Sequence, residues 1–316
     1  MEFIVNNIEN EILLKNYLRD TLCVSRRILT HLKSVDNGIC VNGRQVNVLE
    51  KIRDGDIIRL KIEDNNINDS SCVPSDLPIP EIISQTSSYI ALNKPAGMPT
   101  HPSRGHFEDT LANRVSGYFQ KRNFPFVFRT VNRLDSDTSG VVLIALNKYY
   151  SSRLSDSLKK GLFKKEYLAI TANLPSDSGI ISGYISRENE SIIKRRLTAN
   201  QLPGSQYSVT EYTVLDRSSD FCLVKLNPVT GRTHQLRVHL ASIGYPIAGD
   251  TLYGNACHFI CRQALHAVSL SFPSPENGDT VTLFAEPPQD FKTALISCGL
   301  NLPGTIKNTE EISFPH

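Results

Sequence analysis

Residues 64–80, DNNINDSSCVPSDLPIP, interrupt the chain with polar, turn-forming and Pro-rich sequence. Such a stretch punctuates a chain and reads as a connection between packing units. It divides the protein into a short unit over residues 11–63 and a long one over 81–295, with a linker at 64–80 and a polar, frayed tail at 296–316. Length agrees, since 316 residues with 40% hydrophobic content can bury a sizeable core and suit about two domains.

In the short unit, ILLKNYLRDTLCVSRRILTHL (12–32) places Leu14, Leu18 and Leu22, then Val24, Ile28, Leu29 and Leu32, at helical spacing in two pieces. Ser25 is expected to cap the second helix, with Arg26, Arg27 and Lys33 beside its exposed face. Asn42-Gly43 between short β-prone runs is a tight-hairpin signal, and Arg44 follows it. IRDGDIIRLKI closes the unit as a turn and a strand. From Lys15 to Lys61 there are ten Lys and Arg against five Asp and Glu, although the whole chain carries only +2. That local excess fits contact with a polyanion, and a solvated helix face is the plainer alternative.

The long unit alternates β-prone and helical runs. YIALNKP, GVVLIAL, KEYLAIT, FCLVKLNPV and TVTLFAE read as strands. DTLANRVSGYF, starting near Asp109, and SSRLSDSLKKG read as helices, so the expected class is α+β. Seven scattered cysteines suit reduced thiols. The start, MEFIVNNIENEILLKNYLRD, has acidic and amide residues where a secretory leader needs a basic patch and an apolar core, and no apolar run reaches spanning length. No membrane association and a cytoplasmic setting are expected.

Within RLDSDTSGVVLIAL (133–146) two carboxylates stand two residues apart, directly before an apolar run. A calcium loop fails, because Leu146 occupies the twelfth place, where a bidentate Glu is needed. An aspartyl-phosphate site wants its acids after a strand, and here the strand follows them; a metal-dependent phosphatase on Asp135 and Asp137 is the weak alternative. For Asp137, Thr138 and Ser139 a simple polar turn suffices. In NPVTGRTHQLRVHLASIGYPIAGDTLYG (227–254), Thr233 is a plausible N-cap and Leu236, Leu240 and Ile243 form a helical stripe ended by Gly244 and Pro246. His234 and His239 diverge by about 140° on such a helix and are poor co-ligands. Arg237 lies next to the stripe, where a guanidinium either meets an anion or snorkels to the surface. Tyr167, after Lys164 and Lys165, reads alone as a core tyrosine.

Taken together these segments resemble the RluA-type RNA pseudouridine synthases. NRLDSDTSG, KEY (165–167), GRTHQLRVH, LNKPAGMPTHPS (92–103), GDTLYG (249–254) and ALHAVSLSFPSP (264–275) follow the family's order over most of residues 90–275. The short unit, ordered helix, helix, hairpin, strand, resembles the S4 RNA-binding module. The resemblance implies a mixed, mostly antiparallel sheet flanked by helices, plus the small N-terminal S4 module of αL type. It implies Asp135 as nucleophile, Tyr167 stacking on the target uracil, Arg237 pairing with the carboxylate, and Arg133 filling the space the flipped base leaves or clamping a phosphate. Lys165, Arg232, Arg26, Arg27, Lys33 and Arg44 are the expected RNA contacts. The substrate is then structured RNA, ribosomal in preference to transfer RNA, with no cofactor, no metal and a monomeric enzyme; a noncatalytic S4-type RNA-binding protein is the alternative. Three positions depart from the family pattern: Asn132 stands where His is common, Ser136 where Arg is common, and Tyr245 replaces a frequent His before Pro246. Cys257 and Cys261, with His266 nearby, imitate part of a zinc ligand set without a recognised spacing.

Overall fold

The computed structural model describes residues 1–62, 72–188, 191 and 193–304. Residue 63 at the end of the expected short unit, 64–71 of the expected linker and 305–316 of the expected tail lie outside that range. The first unit has β1 (Glu2–Ile4), β2 (Ile12–Leu13), α1 (Leu14–Asn16) running into a π-helical turn at Tyr17–Thr21, and α2 (Arg26–Ser34). Then come β3 (Ile39–Val41), β4 (Arg44–Gln45), β5 (Lys51–Ile52) and β6 (Ile57–Leu60). The two helical pieces part at Cys23, which takes a left-handed φ of 53°, and the Ser25 hydroxyl accepts the Ile28 N–H at 3.4 Å. Asn42 and Gly43 both have positive φ, 49° and 81°, as a two-residue type I′ hairpin requires. The sheet order is β1-β6-β3-β4, so the unit begins ahead of residue 11. Three residues, EFI, are too short to reveal a strand by alternation; pairing with β6 makes them one.

The described part of the expected linker is packed. Ser75 N–H donates to the Asn113 carbonyl at 3.0 Å and the Asn113 amide donates to the Val73 carbonyl at 2.7 Å. Gly117 lets the Ser75 carbonyl approach so closely that a Cβ there would collide with it.

The second unit is built on β7 (Ile82–Gln85), β8 (Tyr89–Lys94), β9 (Ser139–Ala145), β10 (Lys164–Ala172) and β11 (Ser178–Arg187). It continues with β12 (Arg195–Thr198), β13 (Gln206–Arg217), β14 (Phe221–Pro228), β15 (Leu265–Pro273) and β16 (Thr280–Phe284). The order is β12-β11-β13-β14-β10-β15-β9-β8-β7, with β16 also on β15. Only β9 and β15 run parallel, so the sheet is mixed and mostly antiparallel. Around it lie α3 (Leu111–Gln120), α4 (Lys148–Lys159), α5 (Gln235–Ser242) and α6 (Gln289–Ser297).

All seven residues of β9 are buried because both faces are covered. Val142 and Ile144 point into a core with Leu111, Val115 and Phe119 of α3. Val141, Leu143 and Ala145 point the other way, against Leu154 of α4, Phe163 and Phe272. The period of two thus splits one apolar run between two cores. Helix α4 starts earlier than SSRLSDSLKKG suggests, because the Asn147 side chain caps it by accepting the N–H groups of Tyr149 and Tyr150 at 3.0 Å. Its first turn joins the two units: Tyr149 is buried among Val5, Leu18 and Leu22 and donates its hydroxyl to the Leu22 carbonyl at 2.7 Å. Past the expected end at residue 295, α6 runs to Ser297 and Leu300 is buried in the main core.

Candidate active site

The segment before β9 is held by its backbone. Thr100 donates to the Leu134 carbonyl at 3.0 Å, Thr138 N–H to that of Asp135 at 3.1 Å, and Lys94 to that of Ser136 at 2.9 Å. The Arg262 guanidinium donates to the Asp137 carbonyl at 3.0 Å. Four successive carbonyls are therefore engaged, two by cations, while the Asp135 carboxylate stays partly open at 23% exposure. Lys94 itself is fully buried and also donates to the Pro95 and Met98 carbonyls, both at 2.8 Å. Three acceptors match the three N–H bonds of an ammonium. Burial pulls its pKa down to about 7, against the opposing charges of Asp137 and Asp135.

Tyr167 is brought to Asp135 through Ala267. On β15 this residue pairs with Tyr167 of β10 on one side and with Gly140 of β9 on the other. Gly140 has φ 121° and a Cβ there would strike the Ala267 carbonyl, so the close pairing demands glycine. A bulge between Glu166 and Tyr167 re-aims the ring, as bulges beside functional sites do. Burial, and then the charge of Asp135, push the Tyr167 phenol pKa up, so it is neutral at physiological pH.

Helix α5 supplies the cation. The Arg237 guanidinium donates to Asp250 twice, at 2.7 and 2.8 Å, and through one remaining nitrogen to Asp135 Oδ2 at 3.3 Å. Burial alone would lower its pKa, but Asp250 and then Asp135 hold it above its ordinary value. The Asp250 side chain is wholly buried, so each ion of this pair needs the other. His234, not Thr233, stands at the helix N-cap position, in a left-handed conformation (φ 56°, ψ 18°) with no side-chain cap. The Gln235 side chain accepts the Arg232 N–H at 3.0 Å and organises the turn instead. The strain of a left-handed non-glycine residue is on the order of 1 kcal/mol.

These groups line one cleft of about 570 Å³, shared by Arg133, Asp135, Lys165, Tyr167, Arg232, His234 and Arg237. Arg133 is exposed at its lip. Lys165 is half-buried, and burial lowers its pKa. Arg232 donates to the Tyr207 carbonyl at 3.1 Å. Arg26, Arg27 and Lys33 are exposed on the first unit, away from the cleft lining, and Arg44 is tied to Glu50 at 2.6 Å. Asp137 is exposed and does not line the cleft. A larger cavity of about 830 Å³ lies elsewhere, between β7 and the end of α6, and its ion pair, Lys292 to Glu286 at 2.9 Å, is exposed.

Other polar residues are structural. Asn132 is buried, donates to the Val141 carbonyl at 2.9 Å and accepts the Leu143 N–H at 2.8 Å, behaving as an extra strand partner for β9. His239 is buried against Ser208 at 2.8 Å, far round the helix from His234 as its spacing requires. Both nitrogens of His266 are engaged, by Ser139 and by the Ala285 carbonyl, each at 2.9 Å. Among the described residues no cluster of three or more His, Cys, Asp or Glu could hold a metal ion, the Cys257–Cys261 region included.

Comparison with known proteins gives this geometry a family. Residues 88–242 match the family described as RNA pseudouridylate synthase. The uncharacterized RNA pseudouridine synthase YjbO of Bacillus subtilis is 34% identical over 272 residues, covering 85% of this chain and 94% of that protein. The chain belongs to the RluA-type RNA pseudouridine synthases. Ribosomal large subunit pseudouridine synthase D of Neisseria meningitidis is 30% identical over 290 residues, 87% of this chain and 76% of that one. The solved human RNA pseudouridylate synthase domain containing 4 superposes with a TM-score of 0.57 at 26% identity, over 71% of this chain and 94% of that one. The synthase therefore isomerises uridine to pseudouridine in RNA.

Sequence reasoning about this synthase missed the partner of Arg237. Asp250 stood inside the quoted GDTLYG, but nothing in its spacing from residue 237 says that a turn folds it beneath the helix. It also weighed His234 only as a metal ligand, and passed over Lys94, whose place in the β-prone run YIALNKP was the available signal.

Proposed function

We propose that Asp135 is the nucleophile, Tyr167 the stacking surface for the target uracil, and Arg237 the cation that pairs with the Asp135 carboxylate. The observation that carries this reading is the 3.3 Å contact between Arg237 and Asp135 in a cleft walled by Tyr167. A carboxylate nucleophile is what the rearrangement asks for, and the adjacent guanidinium holds it in place by a charge-assisted hydrogen bond. The C1′–N1 bond breaks, the base turns, C1′ joins C5, the C5 proton is lost and the freed N1 gains one, so product and substrate are isomers. No redox equivalent or added group enters that balance. A neutral phenol at Tyr167 suits stacking and a relay that takes the proton from C5 while passing on its own. The base leaves its stack at a few kcal/mol, and Arg133 at the lip fills the vacated space or clamps a phosphate. Lys165 and Arg232 neutralise the neighbouring backbone.

The substrate in this reading is structured ribosomal RNA, as the naming of the Neisseria relative supports, and the enzyme acts as a cytoplasmic monomer. The first unit acts as an S4-type anchor, with Arg26, Arg27, Lys33 and Arg44 toward phosphates; its helix pair, hairpin and sheet support that role. The test is to incubate RNA from a strain lacking the protein with wild type or Asp135→Asn and map pseudouridine. New sites with wild type and none with the variant, at equal RNA binding, are expected. Equal modification by both would remove Asp135 from the chemistry.

A further inference from the structure

Asp135 has a second neighbour besides Arg237. His234 Nε2 lies 3.8 Å from the same oxygen, Oδ2, and no described residue bonds Oδ1. On its far side His234 Nδ1 sits 2.9 Å from the Tyr253 hydroxyl. That hydroxyl oxygen already accepts the backbone N–H of Arg195, at the start of β12, at 2.8 Å. The phenolic hydrogen is thus available to Nδ1. The opposite tautomer would aim a lone pair of Nε2 at a carboxylate oxygen and leave the phenolic hydrogen without this acceptor. The imidazole therefore carries its hydrogen on Nε2, facing Asp135. It is held from three directions: Tyr253 contacts its ring edge-on, and the charges facing it are Asp135 and Asp250 on one hand and Arg237 and Arg195 on the other. Burial lowers its pKa, Asp135 opposes this, and Arg237 and Arg195 add to it. A left-handed N-cap with no cap bond has no stabilising role in the helix that would explain the strain.

Resting on the reading of Asp135 as nucleophile, we propose that His234 is a positioning residue, locked in its tautomer by Tyr253, that offers Nε2–H to Oδ2 of Asp135 and leaves Oδ1 as the oxygen that meets the substrate. At 3.8 Å the contact is longer than a hydrogen bond, and catalytic hydrogen bonds of this kind tighten once substrate closes the cleft. Two donors, His234 and Arg237, then converge on one carboxylate oxygen and fix the rotation of the group about its Cβ–Cγ bond.

The test combines kinetics with a tautomer measurement. Single-turnover pseudouridine formation and RNA affinity are measured for wild type, His234→Ala, His234→Gln and Tyr253→Phe, and imidazole nitrogen shifts are read by NMR on the free protein. The alanine variant is expected to slow the chemical step by about 10 to 100-fold with RNA affinity within about twofold, and glutamine, which still offers an N–H, to recover part of that rate. Tyr253→Phe is expected to lose less and to shift the His234 nitrogen signals away from the Nε2–H form. A full single-turnover rate in His234→Ala, a loss confined to RNA affinity, or a wild-type signal of Nδ1–H would overturn the proposal. If Asp135→Asn, run alongside, keeps the wild-type single-turnover rate, it is the nucleophile reading that fails, and the tautomer measurement still decides the His234–Tyr253 arrangement.

Discussion

The cleft and the first unit carry arginines in opposite circumstances. Arg237 is buried and makes three hydrogen bonds to two carboxylates, whereas Arg26 and Arg27 are exposed and have no ion-pair partner among the described residues. A cation taken out of water needs a fixed partner, so its geometry is built into the protein. A cation left in water keeps its freedom and its capacity for an incoming phosphate. The cleft is accordingly where substitutions should cost stability as well as rate, and the first unit where they should change RNA affinity alone.

The sharpest way to break this contrast is Asp250→Asn. Removing one ion of the buried pair is expected to destabilise the fold by about 3 to 5 kcal/mol, read as a lower denaturant midpoint, and to slow pseudouridine formation as Arg237 loses its seat. A loss below that of a surface substitution would mean that the pair is not dry. Acid should come next. Burial lowers the pKa values of His239 and His266 from 6.5 to about 4 each. Between those values the unfolded chain binds protons that the folded protein refuses, so stability is full above pH 6.5 and falls as pH drops toward 4. The loss is on the order of a few kcal/mol per histidine. Urea melts at pH 7 and pH 5 should show it, and His266→Gln should flatten the slope; identical slopes in wild type and variant would contradict the assignment.

A smaller effect is expected from Asn132→Ala. It strands the Val141 carbonyl and the Leu143 N–H, which places the loss at about 1 to 3 kcal/mol, with the remaining folded enzyme still active at its usual pH optimum. The smallest change in stability belongs to the first unit. Replacing Arg26 and Arg27 together by alanine should leave the melting midpoint within about 0.5 kcal/mol of wild type, while the slope of log affinity against log salt becomes shallower by roughly 0.7 to 0.9 per lost phosphate contact. An unchanged slope would remove these two arginines from the RNA surface.

Much of this was legible along the chain. The hairpin at Asn42-Gly43, the Ser25 cap, the strand after Asp135 and the helix after His234 all depend on neighbours within a few residues, and local chemistry dictates them. The family motifs, read in order, pointed to Asp135, Tyr167 and Arg237 before any geometry was known. Three features escaped for one shared reason. β1 exists because β6 receives it, Val73 and Ser75 pack on α3 because Gly117 leaves room for a carbonyl, and the turn into α5 is set by the Gln235 amide donating to Val209 and Thr210 on β13.

By itself, the sequence determined the α+β class, because periodicity and turn residues act over short stretches of chain, and its resemblance to the RluA-type synthases implied the mostly antiparallel sheet and pointed to Asp135 as the acid. Only the tertiary structure decided what surrounds that acid. Asp250 reaches Arg237 across 13 positions and Arg237 reaches Asp135 across 102. Partners so far apart along the chain are chosen by which ions must be buried together, and that choice is made only when the sheet has closed.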